Sequence, residues 1–494
     1  MQFQYNSNYP SSPQAADPPD FPPADPHPCA RLTTRVYHPS RNEISTVQNV
    51  LVRTMMPAVT IVRTMDSLDS MQSSSSSCCC SSSSSDDGES SNDENNNDND
   101  DNDDSMQDES LTPVKEELEE RAYWMQRTIR EAIYGRVLYA VVLKKRKRGA
   151  DWEVTTEQCA IKEMSWQHIR KERDRLAEDP IKEVSAMQFL KKWHEVTGTI
   201  QESSLNTMLK TNIMMPLDLL SDDRHLYSVM PFCDGGELFE RLDLNERFCE
   251  EEAKFWMHQV LNVSAVVVMT LFRFQDKRIA FAITHSQTKQ NTLQGLENMQ
   301  RAGICHRDMS LENLLVHQNG CLVIDLGMCL RVPFYTSQCN GDDKLSDTMN
   351  RMSITIQNCD LDSILQRKRV LVTPQGTCGK WIYMSPEIYN NKEAFDGFAI
   401  DMWAAGVILF LMLTGFPPWE RACATDDRFK YMTAGYMVQM LTEWELGLSS
   451  DAMDLLQRML WLDPKDRLSL EQVRAHPWMA NAATAVMPLN HTGI

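Results

Sequence analysis

The spacing of apolar and polar positions divides this chain into three stretches. Over residues 1–110, Pro and polar residues dominate, then come the serine-rich run Ser73–Ser85 and an Asp/Asn tract ending at Asp104. Such a stretch buries too little apolar surface to offset chain entropy, which predicts disorder. Within it, Leu51–Met65 is less polar and reads as a candidate docking segment. Order is expected from near Leu111, and Leu111–Arg130 is rich in Glu and good helix formers. Tyr134–Ile161 reads as two β-rich runs around a charged hairpin loop, Lys144–Arg148. From Asp179 the helical period takes over, over Ile181–His194 and Glu250–Asn262. A strand-rich part followed by a helix-rich part predicts an α+β architecture in two lobes.

Composition narrows the function. At 494 residues and 56.7 kDa, the chain has room for a large two-lobed domain plus a tail. The net charge is −20, and Asp86–Glu109 holds 12 acidic residues and no Lys or Arg, which leaves −8 elsewhere (−20 + 12). No nucleic-acid partner is expected from that balance. The 14 cysteines include the run Cys78–Cys80 and otherwise lack paired C-x-x-C spacing, as suits reduced thiols in an intracellular protein. The longest apolar run, taken as Ala265–Phe272, is far short of the roughly 20 residues that span a bilayer, so no membrane partner is expected. The Lys144–Arg148 cluster resembles a nuclear-localisation patch, although a solvated loop tip is the simpler reading. The expected location is cytoplasmic, with a nuclear pool if that patch acts.

The most informative string is His306-Arg307-Asp308-Met309-Ser310-Leu311-Glu312-Asn313. An Asp followed five residues later by an Asn suits phosphoryl transfer: the Asp accepts the proton of an attacking hydroxyl, and the Asn holds a metal ion from the same loop. Further on, Val323-Ile324-Asp325-Leu326-Gly327 is an apolar strand ending in Asp-x-Gly. It aims a second carboxylate at the metal, with Gly327 expected to allow the tight turn.

With these strings the chain resembles the eukaryotic serine/threonine protein kinases over about Arg121–Met479. Cys159-Ala160-Ile161-Lys162 resembles the third-strand lysine motif, and Glu183 its ion-pair partner. Ser385-Pro386-Glu387 resembles the end of the activation segment, Asp401-Met402-Trp403 the buried helix that anchors the catalytic loop, and Arg467 the partner of Glu387. The closing Ala475-His476-Pro477-Trp478-Met479 resembles the calcium/calmodulin-dependent group, although no calmodulin-binding helix is visible in the 15 residues after Met479. The resemblance implies ATP and Mg²⁺ between two lobes, residues 121–232 and 233–480, with Asn313 and Asp325 holding the metal. Met230-Pro231-Phe232-Cys233 would be the hinge, with Met230 as gatekeeper, the Pro231 carbonyl and the Cys233 N–H meeting adenine, and Val137, Ala160 and Leu315 sandwiching the base. Glu237 would face the ribose and basic substrates, which implies a weak preference for Arg near the phosphoacceptor.

Several departures bear on activity. The phosphate-covering loop reads Arg130-Glu131-Ala132-Ile133-Tyr134-Gly135-Arg136-Val137, so of three family glycines only Gly135 survives. Backbone approach to phosphate is then stiffer and ATP affinity weaker. The lysine two residues after the catalytic Asp is Ser310, and the threonine that partners it is Lys380, in Cys378-Gly379-Lys380. The pair reads as reciprocally exchanged, so that Lys380 supplies the missing cation beside Asp308 from the opposite wall. A solvent-facing Lys380, or an alignment through Gly376-Thr377, is the competing reading.

Two insertions complete the picture. Joining Asn262 to Gly295 across Val263–Gln294 would put Trp256, Val260, Leu296 and Met299 on one helical face. That segment opens Val-Ser, which GTAAGT encodes, and ends in Gln, which CAG encodes, so it reads as a translated intron or as a genuine insert. A second insertion, at about residues 336–370, lengthens the activation segment. Arg307 resembles the arginine of kinases switched by phosphorylation there, with Thr373 and Thr377 as candidate acceptors. Residues 1–110 are thus read as an acidic tail, 111–480 as the catalytic domain and 481–494 as a short tail. The expected function is transfer of the ATP γ-phosphate to protein hydroxyls; a pseudokinase scaffold and a small-molecule phosphotransferase are the alternatives.

Overall fold

The computed structural model describes residues 33–53, 120–146, 151–173, 175–197, 205–261, 295–317, 320–334 and 369–480. Its first part is an eight-stranded sheet. Strands β4 (Arg121–Ala132), β5 (Gly135–Lys145) and β6 (Trp152–Ser165) form an antiparallel meander; β8 (His225–Pro231) pairs with β6, and β7 (Asp218–Ser221) with β8. Alternate residues point inward, and Leu138, Ala140, Val142, Cys159 and Ile161 bury against Tyr123, Tyr227 and Val229. Arg121–Ala132 is therefore strand and not helix, against its local composition. Tyr123 and Trp124 suit a pleated surface, and their cross-strand partners are Val142 and Val141.

The expectation of disorder throughout residues 1–110 is corrected between residues 34 and 52. There, β1 (Thr34–His38), β2 (Glu43–Val47) and β3 (Val50–Val52) extend the sheet at both sides. β1 runs parallel to the start of β6, with Val36 opposite Trp152, and β3 runs antiparallel to β4, with Val52 opposite Ala122. Val36, Val47, Val50 and Val52 form a small core with Ala122, Leu143 and Trp152. Arg53 adds an ion pair to Asp218 at 3.0 Å. These strands are short, so the surrounding polar sequence masks them in any average, yet open sheet edges give them partners. In the sequence the acidic stretch Asp86–Glu109 falls between the paired strands β3 and β4. That stretch, the run Ser73–Ser85, residues 54–65 of the docking candidate, residues 147–148, Val263–Gln294, Thr336–Asp362 and residues 481–494 lie outside the described residues.

The second part is helical. The helix Gly397–Thr414 is long and apolar enough to cross a membrane, longer than the run at Ala265–Phe272, but 94% of it is buried inside the protein. It is the central core helix, packed with Trp256, Leu296, Leu455 and Met459. The helices Glu250–Leu261 and Gly295–Arg301 share that core, and Trp256, Val260, Leu296 and Met299 are all fully buried. Gly295 sits on the last turn of the first of these helices: a Cβ there would fall 2.6 Å from the Val260 carbonyl oxygen and 3.0 Å from that of Gln259. The second helix thus starts where the first stops.

Candidate active site

The catalytic-loop candidates follow the short strand Ile304–Cys305. Asp401, inside the core helix, accepts the His306 N–H at 2.7 Å and the Arg307 N–H at 2.9 Å. Burial pushes the Asp401 carboxyl up to about 6, against the pull of His306 and those two amides. This anchor holds Arg307 in left-handed backbone, φ 69°. The Asn313 amide donates to the Asp308 carbonyl at 2.7 Å and to Asp308 Oδ2 at 3.1 Å, and Ile324 N–H donates to the Asn313 carbonyl at 3.0 Å. The loop carrying Asp308 and the strand leading to Asp325 are therefore tied together. Asp325 itself takes the left-handed turn (φ 65°), and Gly327 has another use than the one expected: a Cβ there would lie 2.6 Å from Glu178 Cγ.

Lys380 arrives from the other wall. Its backbone N–H donates to Asp308 Oδ1 at 3.1 Å. Its ammonium donates to Ser310 Oγ at 2.8 Å, and lies 3.5 Å from Asp308 Oδ2 and 3.4 Å from Asn313 Oδ1. Gly379 makes this approach feasible. Its φ is +89°, and a Cβ would press on the Arg307 carbonyl at 3.0 Å and Asp308 Oδ1 at 3.1 Å. Lys380, and not Thr377, is the residue that meets Asp308. Behind it, Arg467 makes a bidentate pair with Glu387 at 2.9 and 3.2 Å and packs over the Trp403 ring.

On the upper wall, β6 delivers Lys162 and the helix Pro180–Val196 delivers Glu183. That helix starts at Asp179, whose side chain caps the Ile181 and Lys182 N–H groups, with Pro180 at its first position. The Lys162 ammonium donates to Glu183 Oε2 at 2.5 Å. Burial disfavours its charge, but Glu183, Asp325 and Glu178 together outweigh burial and raise its pKa. Glu178 lies 3.8 Å from the same ammonium, and burial, then the Asp325 charge, push its carboxyl up to about 7. Carboxylate oxygens of Glu178, Glu183 and Asp325 all lie within 4.8 Å of one another.

Between the walls runs a stripe of half-buried apolar groups. Val137 stands opposite Lys162 across the sheet, Ala160 opposite Met230, and Cys159 opposite Pro231. Leu315, Met230, Cys233 and Ile324 each pack against the buried cluster of Met208, Met214, Met215 and Leu322. Val137, Ala160, Met230, Cys233 and Leu315 are each half-buried, as expected for the lining of an open cleft. Over it, β4 and β5 meet in a tight turn at Ile133-Tyr134 before Gly135. The flap is pinned twice. Tyr134 is buried, and its hydroxyl donates to the Glu178 carbonyl at 2.7 Å. Arg130 Nη1 donates to Glu237 Oε1 across the mouth.

The structure thus brings together Asp308, Ser310, Asn313 and Lys380 below, and Lys162, Glu183 and Asp325 above. Glu178, Tyr134 and the Arg130–Glu237 pair were missed from sequence. Glu178 immediately precedes a cap residue, and Arg130 and Glu237 are 107 positions apart, so no local spacing marks them.

Comparisons with known proteins bear on the family and not on the individual site residues. A family model described as protein kinase domain matches residues 265–479. The chain is 25% identical over 299 residues to the serine/threonine-protein kinase SAPK2 of Oryza sativa subsp. indica, covering 60% of this chain and 69% of that protein. It is 24% identical over 324 residues to the serine/threonine-protein kinase SRK2I of Arabidopsis thaliana, covering 65% and 70%. With the serine/threonine-protein kinase DCLK3 of Mus musculus, identity is 28% over 276 residues, covering 56% of this chain but 26% of that protein. These matches support a serine/threonine protein kinase, and the sheet-rich first part and helical second part fit a two-lobed kinase fold.

Proposed function

We propose that the cleft transfers the terminal phosphoryl group of ATP to serine or threonine hydroxyls of protein substrates. The reading is carried by one observation: the Lys380 ammonium sits among Ser310, Asp308 and Asn313 at 2.8–3.5 Å. Asp308 accepts the proton of the acceptor hydroxyl and orients it. Lys380 places a cation against the charge that spreads over the moving phosphoryl oxygens, worth most in a site that excludes water. Lys162, kept charged by Glu183, orients the nucleotide phosphates. Asp325 and Asn313 offer hard oxygen ligands on two segments tied by one hydrogen bond, a donor set that fits Mg²⁺. Bound there, the ion would neutralise phosphate charge. Val137, Ala160, Met230, Leu315 and the Pro231–Cys233 backbone would take the base, and Gly135 the phosphate side of the flap.

The test is a radiolabelled-ATP assay on the full chain. Asp308→Asn and Lys380→Ala should each lower kcat by about 10²- to 10³-fold, the loss seen when one preorganised transition-state group is removed. Equal background in wild type and both variants would favour the second reading, a binding scaffold. The specific observation behind that alternative is the Arg130–Glu237 contact across the cleft mouth, above a flap with a single glycine. Regulation is read from Arg307, whose guanidinium donates to the Met328 carbonyl at 3.4 Å and the Gly376 carbonyl at 3.3 Å. Thr373 and Thr377, both exposed, are the acceptors on that segment. Grouping with the calcium/calmodulin-dependent kinases rests on the closing Ala475–Met479 segment, and an intracellular location on the thiol chemistry of the cysteines.

A further inference from the structure

The phosphotransfer reading gives no role to one ion pair at the mouth of the cleft. Arg130 belongs to the flap, where the resemblance expects the first of three glycines, and it donates to the Glu237 carboxylate on the opposite rim. We infer that Arg130 is a specificity-determining residue: it occupies Glu237 and so biases the enzyme against acceptor peptides that carry a guanidinium or ammonium beside the phosphoacceptor. The inference deepens the phosphotransfer reading and rests on it, because it takes the cleft mouth as the place where acceptors dock.

Three observations carry it. First, Arg130 is aimed at the rim by the strand that holds it. The β4–β5 register shifts between Thr128 and Arg130, leaving Ile129 as a bulge with 41% exposure. A bulge bends its strand and re-aims the following side chain. Second, Glu237 is fixed in place: it caps the helix Leu238–Asn245, with its own N–H held by Glu240 Oε2 at 3.2 Å. A fixed carboxylate at 20% exposure is a ready subsite for a cation, and Arg130 already fills it. Third, two further carboxylates, Glu240 and Glu312, act on Glu237 beside Arg130. Without Arg130 the rim would be a negative patch that draws basic peptides. With it, an incoming guanidinium must displace an internal one held at high effective concentration.

The Arg130 side chain is 65% exposed, so the pair is a modest barrier and not an absolute one. Pairs of that kind correspond to about a two- to fivefold effect. The measurement is kcat/KM for serine peptides differing only in Arg versus Gln at one position, scanned over four residues on each side of the serine. Wild type should give ratios near one. Arg130→Gln should raise the ratio two- to fivefold at one or two positions, through KM and not kcat. Arg130→Lys should keep the wild-type ratio, and adding Glu237→Gln to Arg130→Gln should abolish the gain. Fluorescence-polarisation binding of the same labelled peptides is measured in parallel, so the inference stays testable even if phosphotransfer itself fails. Tighter binding of the Arg peptide to Arg130→Gln supports it. A strong Arg preference already in wild type, or an identical ratio and affinity in wild type and Arg130→Gln, overturns it.

Discussion

The two walls of the cleft have departed from the kinase pattern in different ways. On the lower wall Ser310 stands where the resemblance expects a lysine, and Lys380 reaches it across the cleft at 2.8 Å, where the proposed reading has it supply the same charge. On the upper wall glycines were lost and nothing restores their freedom. Instead Arg130 and Tyr134 tie the flap to Glu237 and Glu178. The contrast separates two demands. A cation beside the moving phosphoryl group can come from either side, because charge acts through space. A backbone N–H that must approach phosphate closely has no such substitute, because a Cβ occupies the room.

The largest expected effect tests the exchange directly. If Lys380→Thr alone loses 10²-fold or more in kcat, Ser310→Lys combined with Lys380→Thr should recover most of it. Additive loss in the double variant would mean that Lys380 acts by its position on the activation segment and not by its charge. A second test concerns the ground on which the lower wall stands. If the 32 intervening residues add only chain entropy, joining Asn262 directly to Gly295 should raise unfolding free energy by up to about 3 kcal/mol. Chemical denaturation reads this, and reads of spliced transcripts joining the two codons would identify the segment as a translated intron. A large loss of stability would instead make the segment part of the fold. The smallest effect is on the upper wall. Tyr134→Phe removes one hydrogen bond to the Glu178 carbonyl, and stability should fall by about 1 kcal/mol with the fold intact. The same variant should raise hydrogen exchange in the β4–β5 turn, while exchange at Asp308 and Asn313 stays as in wild type.

Legibility in the sequence followed chain distance and redundancy. Asp308, Asn313 and Asp325 could be read because three oxygen donors fall within 18 residues in an order that suits phosphoryl transfer. Lys380 lies 72 positions from Asp308, yet it was readable because two departures pointed at one another. Arg130 showed only its bulk, since nothing near it in the chain names Glu237 as its partner. Glu178 carried no signal, because an acidic residue before a helix cap is usually solvated. The two-lobed fold came from periodicity, whereas β1 to β3 did not: five-residue and three-residue strands set in polar sequence leave no periodic trace, and only the open edges of β4 and β6 give them a place. Arg121–Ala132 misled for the opposite reason, since its helix-forming composition yielded to partners across the sheet.

The pairing of Val52 with Ala122 has a consequence for what a protease would leave behind. A cut between Arg53 and Glu120 severs the polypeptide but none of the ladder bonds or valine packing that hold the first three strands to the rest. The two fragments would therefore remain joined through the paired strands and the small valine core, and the lobe above the cleft would keep its sheet.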